Sequence, residues 1–479
     1  MSSSPDSGTS HVSRWLGMLA LPVVFLTWFV LVVAPVWLQA ARHCFTHYDL
    51  GIYTQALARL SLRDPNPWLS ARQVFIFNDH FDPVLWLARP LGMFLSPLHA
   101  GLLAEALFVL LSVAPLVWMQ ARGLLDRVST AFLCALLLLN TSIVEALVFP
   151  IHPTTWSVLP CVLLAVAYHL RKHGLMMVAL VLLFACKEEF PLAGLMLAVG
   201  LWWRGERRLA LGVFALSAAW MAFVLVVRPW WWGPTVDYRG RLLPAPDQDW
   251  LAYLHSRFAP WHLRRMGTLL LLFVPLGVWA WREKWKPDVP WLLMLLPLVA
   301  IRVAAMAWRE HYGAPVLAVG VLALLPLLRA RRPPAWVLVS TAVLLFTTNE
   351  VNFRDGVRTL TRPESFPRVC PADALRLASV RRGLDVLASR SEGRALLGGN
   401  LVADLVTRDE VYAVGGPQAE GSLVYDWVLV EKPPAGNILP VTPERMGELI
   451  TLWRGEPGAE VLIDDAHVFL ARGHFTVSH

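Results

Sequence analysis

Through the first 350 positions, apolar runs alternate with short polar intervals. Runs of about 17 to 25 residues suit a helix crossing about 30 Å of hydrocarbon. They cover Trp15–Ala40, Leu98–Ala121, Val128–Val148, the stretch from Pro153 to Leu170, and four later stretches ending near Arg228, Trp281, Arg302 and Arg329, with a last one ending near Thr348. Two shorter runs, Leu175–Cys186 and Phe190–Trp203, are split by Lys187-Glu188-Glu189. The first of these gives only about 18 Å of helix, so the three charges are predicted to sit below the membrane surface in a wet cavity. The pattern predicts an α-helical polytopic membrane protein of about eleven spans.

Charge placement orients those spans. The basic clusters Arg122/Arg127, Arg171/Lys172, Arg204/Arg207/Arg208, Arg282/Lys284/Lys286 and Arg329/Arg331/Arg332 all fall on one side if the N-terminus is cytoplasmic, as the positive-inside rule requires. The net charge of +7 is therefore spent on short membrane-flanking turns, and a nucleic-acid partner is excluded. Only 16% of the residues are charged, well below a soluble chain's roughly one quarter. The Ser-rich residues 1–14 read as a disordered cytoplasmic tail, and residues 15–348 as the membrane domain, with large outer intervals at 42–97 and 229–265. Within the first interval, Leu50–Leu60 and Asp82–Leu95 read as amphipathic helical pieces in the interface. Beyond position 349 the composition becomes that of a soluble domain. Alternating runs at Ala395–Gly398, Glu410–Val414, Tyr425–Val430 and Glu460–Ala471 predict strands, Ala372–Leu387 and Pro443–Leu452 predict helices, and Asn400 reads as an N-cap before Leu401–Thr407. Residues 349–479 are thus expected to form a small extracytoplasmic α/β domain. Five cysteines show no metal-ligand spacing, though Cys44 and Cys370 would share an oxidising compartment where a bridge can form.

Candidate chemistry gathers in the outer intervals, where polar groups held against a membrane point to function. Asp49 in His47-Tyr48-Asp49-Leu50-Gly51-Ile52-Tyr53 is placed either as a general base or as a helix cap. His80 and Asp82 in Asn78-Asp79-His80-Phe81-Asp82-Pro83 either share a cation or start a helix at Pro83. His152 sits between two prolines in Phe149-Pro150-Ile151-His152-Pro153, a turn with either a structural or a binding role. Lys187 is a point-charge phosphate ligand that Glu188 and Glu189 could orient, or the three residues form a self-neutralising hairpin tip. Arg302, Arg309 and His311 make a second cationic group, open to anion binding or to snorkelling.

These motifs, with Thr54-Gln55 and Glu310-His311-Tyr312, resemble in their order the domain-of-unknown-function-2079 membrane proteins, a likeness extending to Asn400–Arg408. Those proteins in turn look like type C glycosyltransferases. The resemblance implies sugar transfer from a polyprenyl-phosphate donor to an acceptor hydroxyl on the outer face of a bacterial-type inner membrane. Asp49, His80 and Asp82 then stand as catalytic candidates. Tyr53, His152, Lys187, Glu188, Glu189, Arg302, Arg309 and His311 stand as substrate-binding candidates. A divalent cation is a candidate cofactor, although Leu50 follows Asp49 where many such enzymes carry a second carboxylate. A transporter or lipid flippase would use the same buried charges around a broken helix.

The orientation is directly testable. Cysteine probes placed at Arg208 and Arg331 should label only from the cytoplasm, and a probe at Asp237 only from outside. External labelling at Arg208 would overturn it.

Overall fold

A computed structural model describes residues 11–45, 48–238, 242–244, 248–308, 310–361, 373–416, 423–433 and 441–477. The chain is mostly helical, with a small sheet near its C-terminus. Four helices are long and apolar enough to cross a membrane: Leu19–Ala41, Pro97–Ala121, Arg207–Trp232 and Glu310–Ala330. Two bent pairs, Arg127–Leu138 with Thr141–Val148 and His262–Leu271 with Phe273–Arg282, raise the number to 6 if each pair is one span. The remaining apolar runs form shorter helices, His173–Phe184, Phe190–Trp203, Val289–Ala305 and Ala335–Thr348. Residues 11–14 belong to the first helix, His11–Trp28, rather than to a tail.

Local chemistry sets these boundaries. Ser96 accepts from the His99 amide, with Pro97 at the first helical position. Asp126 accepts from the Val128 and Ser129 amides. Asn140, placed at the 45° bend, accepts from the Ile143 amide and so starts the second half of its pair. Between His173–Phe184 and Phe190–Trp203 the chain leaves the helix for Ala185–Glu189 and exposes the Lys187-Glu188-Glu189 charges to the interior.

The first polar interval is folded into the body. Helix Tyr48–Arg59 forms where helix was expected, but its Leu50–Leu57 face is buried, so it does not lie in an interface. It is followed by a short hairpin, β1 (Trp68–Leu69) and β2 (Val74–Phe75). The expected helix over Asp82–Leu95 is instead two 3₁₀ turns, Pro83–Leu87 and Arg89–Met93. Pro90 is the reason, since it has no amide to donate and disfavours α geometry in the residue before it.

The C-terminal sheet has the order β4-β3-β5-β7-β6, where β3 is Ala395–Leu397, β4 Val411–Ala413, β5 Tyr425–Glu431, β6 Glu460–Asp464 and β7 Val468–Phe475. Strands β4, β3 and β5 are parallel, and β7 and β6 add antiparallel. The run over Glu460–Ala471 is therefore two strands. Asp465 accepts from the His467 and Val468 amides and turns the chain between them. Leu397, Leu429 and Leu470 pack toward helix Ala374–Ala388, and Leu396, Val428 and Phe469 toward helix Pro443–Arg454, which gives three layers. Asn400 caps no helix. Only a 3₁₀ turn follows it, Val402–Asp404, and its side-chain amide donates to the His43 carbonyl.

That hydrogen bond belongs to the joint between sheet and helices. The ends of the parallel strands, where α/β sheets usually bind ligands, press on residues 42–59 instead. A Cβ on Gly51 would lie 2.5 Å from Val402 Cγ1, so no larger residue fits. His43 meets Asp404 at 2.9 Å, and Arg59 donates to the Arg408 and Asp409 carbonyls. Ser70 pairs with both backbone groups of Val411 and covers the β4 edge. Arg376, fully buried, is ion-paired to Glu431 and donates to the Arg42 carbonyl. Cys44 is disulfide-bonded, and Cys370 lies outside the described residues.

Breaking one partner of a buried ion pair costs about 3–5 kcal/mol. Arg376→Met should therefore loosen this joint, seen as faster protease release of the C-terminal domain from purified protein, whereas Arg445→Met on an exposed pair should not.

Candidate functional site

Two cavities meet below the first polar interval. A polar chamber of about 220 Å³ is lined by Asp49, Tyr53, Arg72, Asp79, His80, His152, Lys187, Tyr238, His311 and Tyr312. A larger cavity of about 1060 Å³ shares Asp79, His80, Lys187, Tyr238 and Tyr312 with it. The larger one adds Arg228 and an apolar wall of Met221, Val224, Leu225, Ile301 and Ala305 from two helices.

On one side of the chamber, Asp49 lies 3.8 Å from His152 (Oδ2 to Nε2). Asp49 is the second residue of helix Tyr48–Arg59, inside its first turn, so it is not the flanking residue that the cap reading expected. His152 donates through Nδ1 to the Phe149 carbonyl at 3.0 Å, because a carbonyl can only accept. Its ring stacks on His311 at 3.8 Å, nearly parallel, and Tyr53 meets it edge-on. Burial pushes the His152 imidazole below the usual histidine range, against the pull of Asp49. It is therefore a neutral base at pH 7.

On the other side, the carboxylates are already engaged. His80 and the Phe81 amide hold the two oxygens of Glu188 at 2.9 and 3.0 Å. Arg72 and Tyr238 hold the two oxygens of Asp79. Arg302 grips Glu189 with both terminal nitrogens and donates its Nε to the Tyr312 carbonyl at 2.7 Å. Asp82 is buried with Oδ1 unpartnered, and burial followed by the Glu188 charge pushes its carboxyl well above the usual range. Its neutral form is therefore favoured relative to that of an exposed carboxyl.

Two cations stand apart. Lys187, 8% exposed, sits over the Tyr312 ring at 5.3 Å with no ion-pair or hydrogen-bond partner among the described residues. Arg228, 7% exposed, lies over the Phe81 ring with Nε and Nη1 unsatisfied. Both line the larger cavity. Neither makes a direct ion pair among the described residues, although the Glu188 charge acts on both, and a buried cation without a direct partner is costly.

Residues 43–355, which carry both cavities, match a family described as predicted membrane protein (DUF2079). The chain belongs to this family. It is a membrane protein with several transmembrane helices. The family match ends before the sheet, so the Asn400–Arg408 motif lies outside it. No curated protein matches the chain.

For this DUF2079 protein, the structure brings Asp49, Tyr53, His80, His152, Lys187 and His311 to one chamber, with Glu188 and Glu189 in the adjoining wall. It does not leave Arg302 open to a ligand, because Glu189 takes the guanidinium. Arg309 and His47 lie outside the described residues. Among the described residues, no group of three or more His, Cys, Asp or Glu is placed to hold a metal ion. Arg228 and Glu105 were missed by sequence reasoning. Arg228 resembled the end of a span, yet Glu105 is a lone carboxylate inside an apolar run, a signal that was there to be read.

The two kinds of cation should separate on mutation. Arg302→Met should cost about 3–5 kcal/mol of stability by stranding Glu189. Lys187→Met, with no ion pair to break, should shift thermal unfolding of the detergent-solubilised protein far less. Equal losses would contradict the assignment.

Proposed function

We propose that this protein is a membrane glycosyltransferase that moves a sugar from a polyprenyl-phosphate donor to an acceptor hydroxyl. The observation that carries the reading is the pair of buried, unpaired cations, Lys187 and Arg228, on a cavity with one polar and one apolar wall. A lipid phosphate matches both walls. Its isoprenoid tail lies along Met221, Val224, Leu225 and Ile301, and its phosphate sits against the cations. Negative charge builds on that phosphate as the sugar leaves, which is where fixed positive charge is most effective. Asp49 and His152 face the chamber from the opposite side, where an acceptor hydroxyl would lose its proton.

In this reading the shorter apolar helices also cross or enter the bilayer, which brings the spans to about eleven in a type C glycosyltransferase-like arrangement. The N-terminus is cytoplasmic, the chamber opens outward from an inner membrane, and the C-terminal sheet domain is extracytoplasmic. The domain docks on residues 42–59 and holds the Asp49 helix in place. The transporter or flippase reading draws support from the two bent spans. It differs in expecting movement of the lipid without a new glycosidic bond.

The test is donor binding and transfer by purified protein. Lys187→Met should weaken binding of a polyprenyl-phosphate sugar by roughly ten to a hundredfold, about 1.5 to 3 kcal/mol for a lost charge-assisted contact. Asp49→Asn, which keeps the size and polarity of the side chain and removes its charge, should keep binding and lose transfer. Unchanged affinity in Lys187→Met, measured by calorimetry, would defeat the reading.

A further inference from the structure

Two buried glutamates stand behind the stacked histidines. Glu105, 1% exposed in the middle of helix Pro97–Leu111, accepts from the Ile151 amide, and its other oxygen lies 3.4 Å from the His152 amide. Ile151 has φ +64°, a left-handed conformation that a β-branched residue adopts only under constraint. Glu145, on helix Thr141–Val148, accepts from the Glu310 amide at 3.2 Å, and Glu310 has φ +59°. The residue after each strained position is a histidine of the stack, His152 in one case and His311 in the other. The His311 turn is also pressed close to the Glu145 helix, because a Cβ on Gly313 would clash with Ser142 Oγ. Two separate turns are thus each bent into a left-handed residue by a carboxylate reaching out of an apolar helix.

The first turn has a chemical consequence. It brings the Phe149 carbonyl to His152 Nδ1, so Nδ1 carries the proton and Nε2 bears a lone pair. His152 Nε2 is buried without a hydrogen-bond partner, and Asp49 Oδ2 is 3.8 Å away, beyond hydrogen-bond reach. An acceptor hydroxyl entering from the chamber can reach this pair from one side and donate its single proton to Nε2. His311 covers one face of the ring, and Phe149 also stacks on it at 4.7 Å, so the ring cannot turn over without breaking both stacks.

We infer that Glu105 is a positioning residue that fixes His152 in its Nδ1–H tautomer, making Nε2 the proton acceptor of the chamber, while Glu145 holds His311 against it. The chemical consequence rests on the transfer reading above; the tautomer does not. In transfer, the acceptor O–H proton passes to His152 Nε2 and the oxygen's electron pair bonds to the anomeric carbon. The bond from that carbon to the phosphate oxygen breaks, and its electron pair leaves on the phosphate beside Lys187 and Arg228. The Asp49 carboxylate, 3.8 Å from Nε2, stabilises the imidazolium.

Nitrogen NMR of histidine-labelled full-length protein in nanodiscs tests this, with His152→Asn used to assign the signal. Wild type should show a bare Nε2 on His152, with roughly a tenfold excess of the Nδ1–H tautomer, the ratio one buried hydrogen bond sustains. Glu105→Gln, whose amide oxygen still accepts the Ile151 amide, should keep that signal, and Glu105→Ala should collapse it into a mixture. Glu105 in a merely structural role would lower the unfolding temperature without moving the tautomer. A protonated Nε2 in wild type overturns the inference whether or not any variant folds, as does an unchanged signal in Glu105→Ala. Should the tautomer stand while Lys187→Met binds the donor normally, the transfer reading fails and the positioning role remains.

Discussion

A charge moved out of water costs several kcal/mol unless an opposite charge or a full set of hydrogen bonds offsets it, and this chain treats its buried cations in two ways. Arg302 and Arg376 are each locked to a carboxylate and a backbone carbonyl. Lys187 and Arg228 have aromatic faces beneath them and no direct ion pair among the described residues, with Glu188 acting on both from a distance. The difference is one of address. The locked pairs sit at joints, Arg302 between the Lys187 break and the turn at Tyr312, Arg376 between the sheet domain and the chain at Arg42. The unpaired cations sit on a cavity wall. Joints need fixed geometry, and a cavity wall with standing positive charge favours whatever anion enters.

The same economy of parts shapes the chamber. None of its walls is built by one segment: Asp49 comes from a helix held by the C-terminal domain, His152 and His311 from two strained turns, and Lys187 from a break between short helices. Each of these irregular pieces is held by a polar group from a regular one. Glu105 and Glu145 project from apolar helices to turn amides, and Asn78 reaches the Trp232 and Pro234 carbonyls at and just past the end of the Arg207–Trp232 helix. Irregular backbone at membrane depth is tolerated only where protein or a wet cavity satisfies it, so the hydrogen bonds that hold the site also make it permissible.

Much of this was legible in the residues. The apolar runs marked the helices, and the shortness of Leu175–Cys186 placed Lys187-Glu188-Glu189 inside rather than at a hairpin tip. The motifs near Asp49, His80, His152 and His311 did converge. What periodicity cannot state is which charge meets which. Glu189 and Arg302 are 113 positions apart, and only the packing of Phe190–Trp203 against Val289–Ala305 decides that Arg302 is a strut and Lys187 is not. The same limit hid the partner of Asn400, which reads locally as a cap but meets His43 across the domain joint. The splitting of Glu460–Ala471 was readable, since Asp465 can turn the chain by accepting amides two and three residues on.

On the proposed reading, Lys187 and Arg228 await a lipid phosphate. The most direct measurement is an electron cryomicroscopy structure of the protein with a non-transferable polyprenyl-phosphate analogue. The account predicts the phosphate between Lys187 and Arg228, its tail along Met221, Val224 and Ile301, and Asp49 and His152 facing the sugar side. A phosphate bound elsewhere, with those two cations still unpaired, would contradict it.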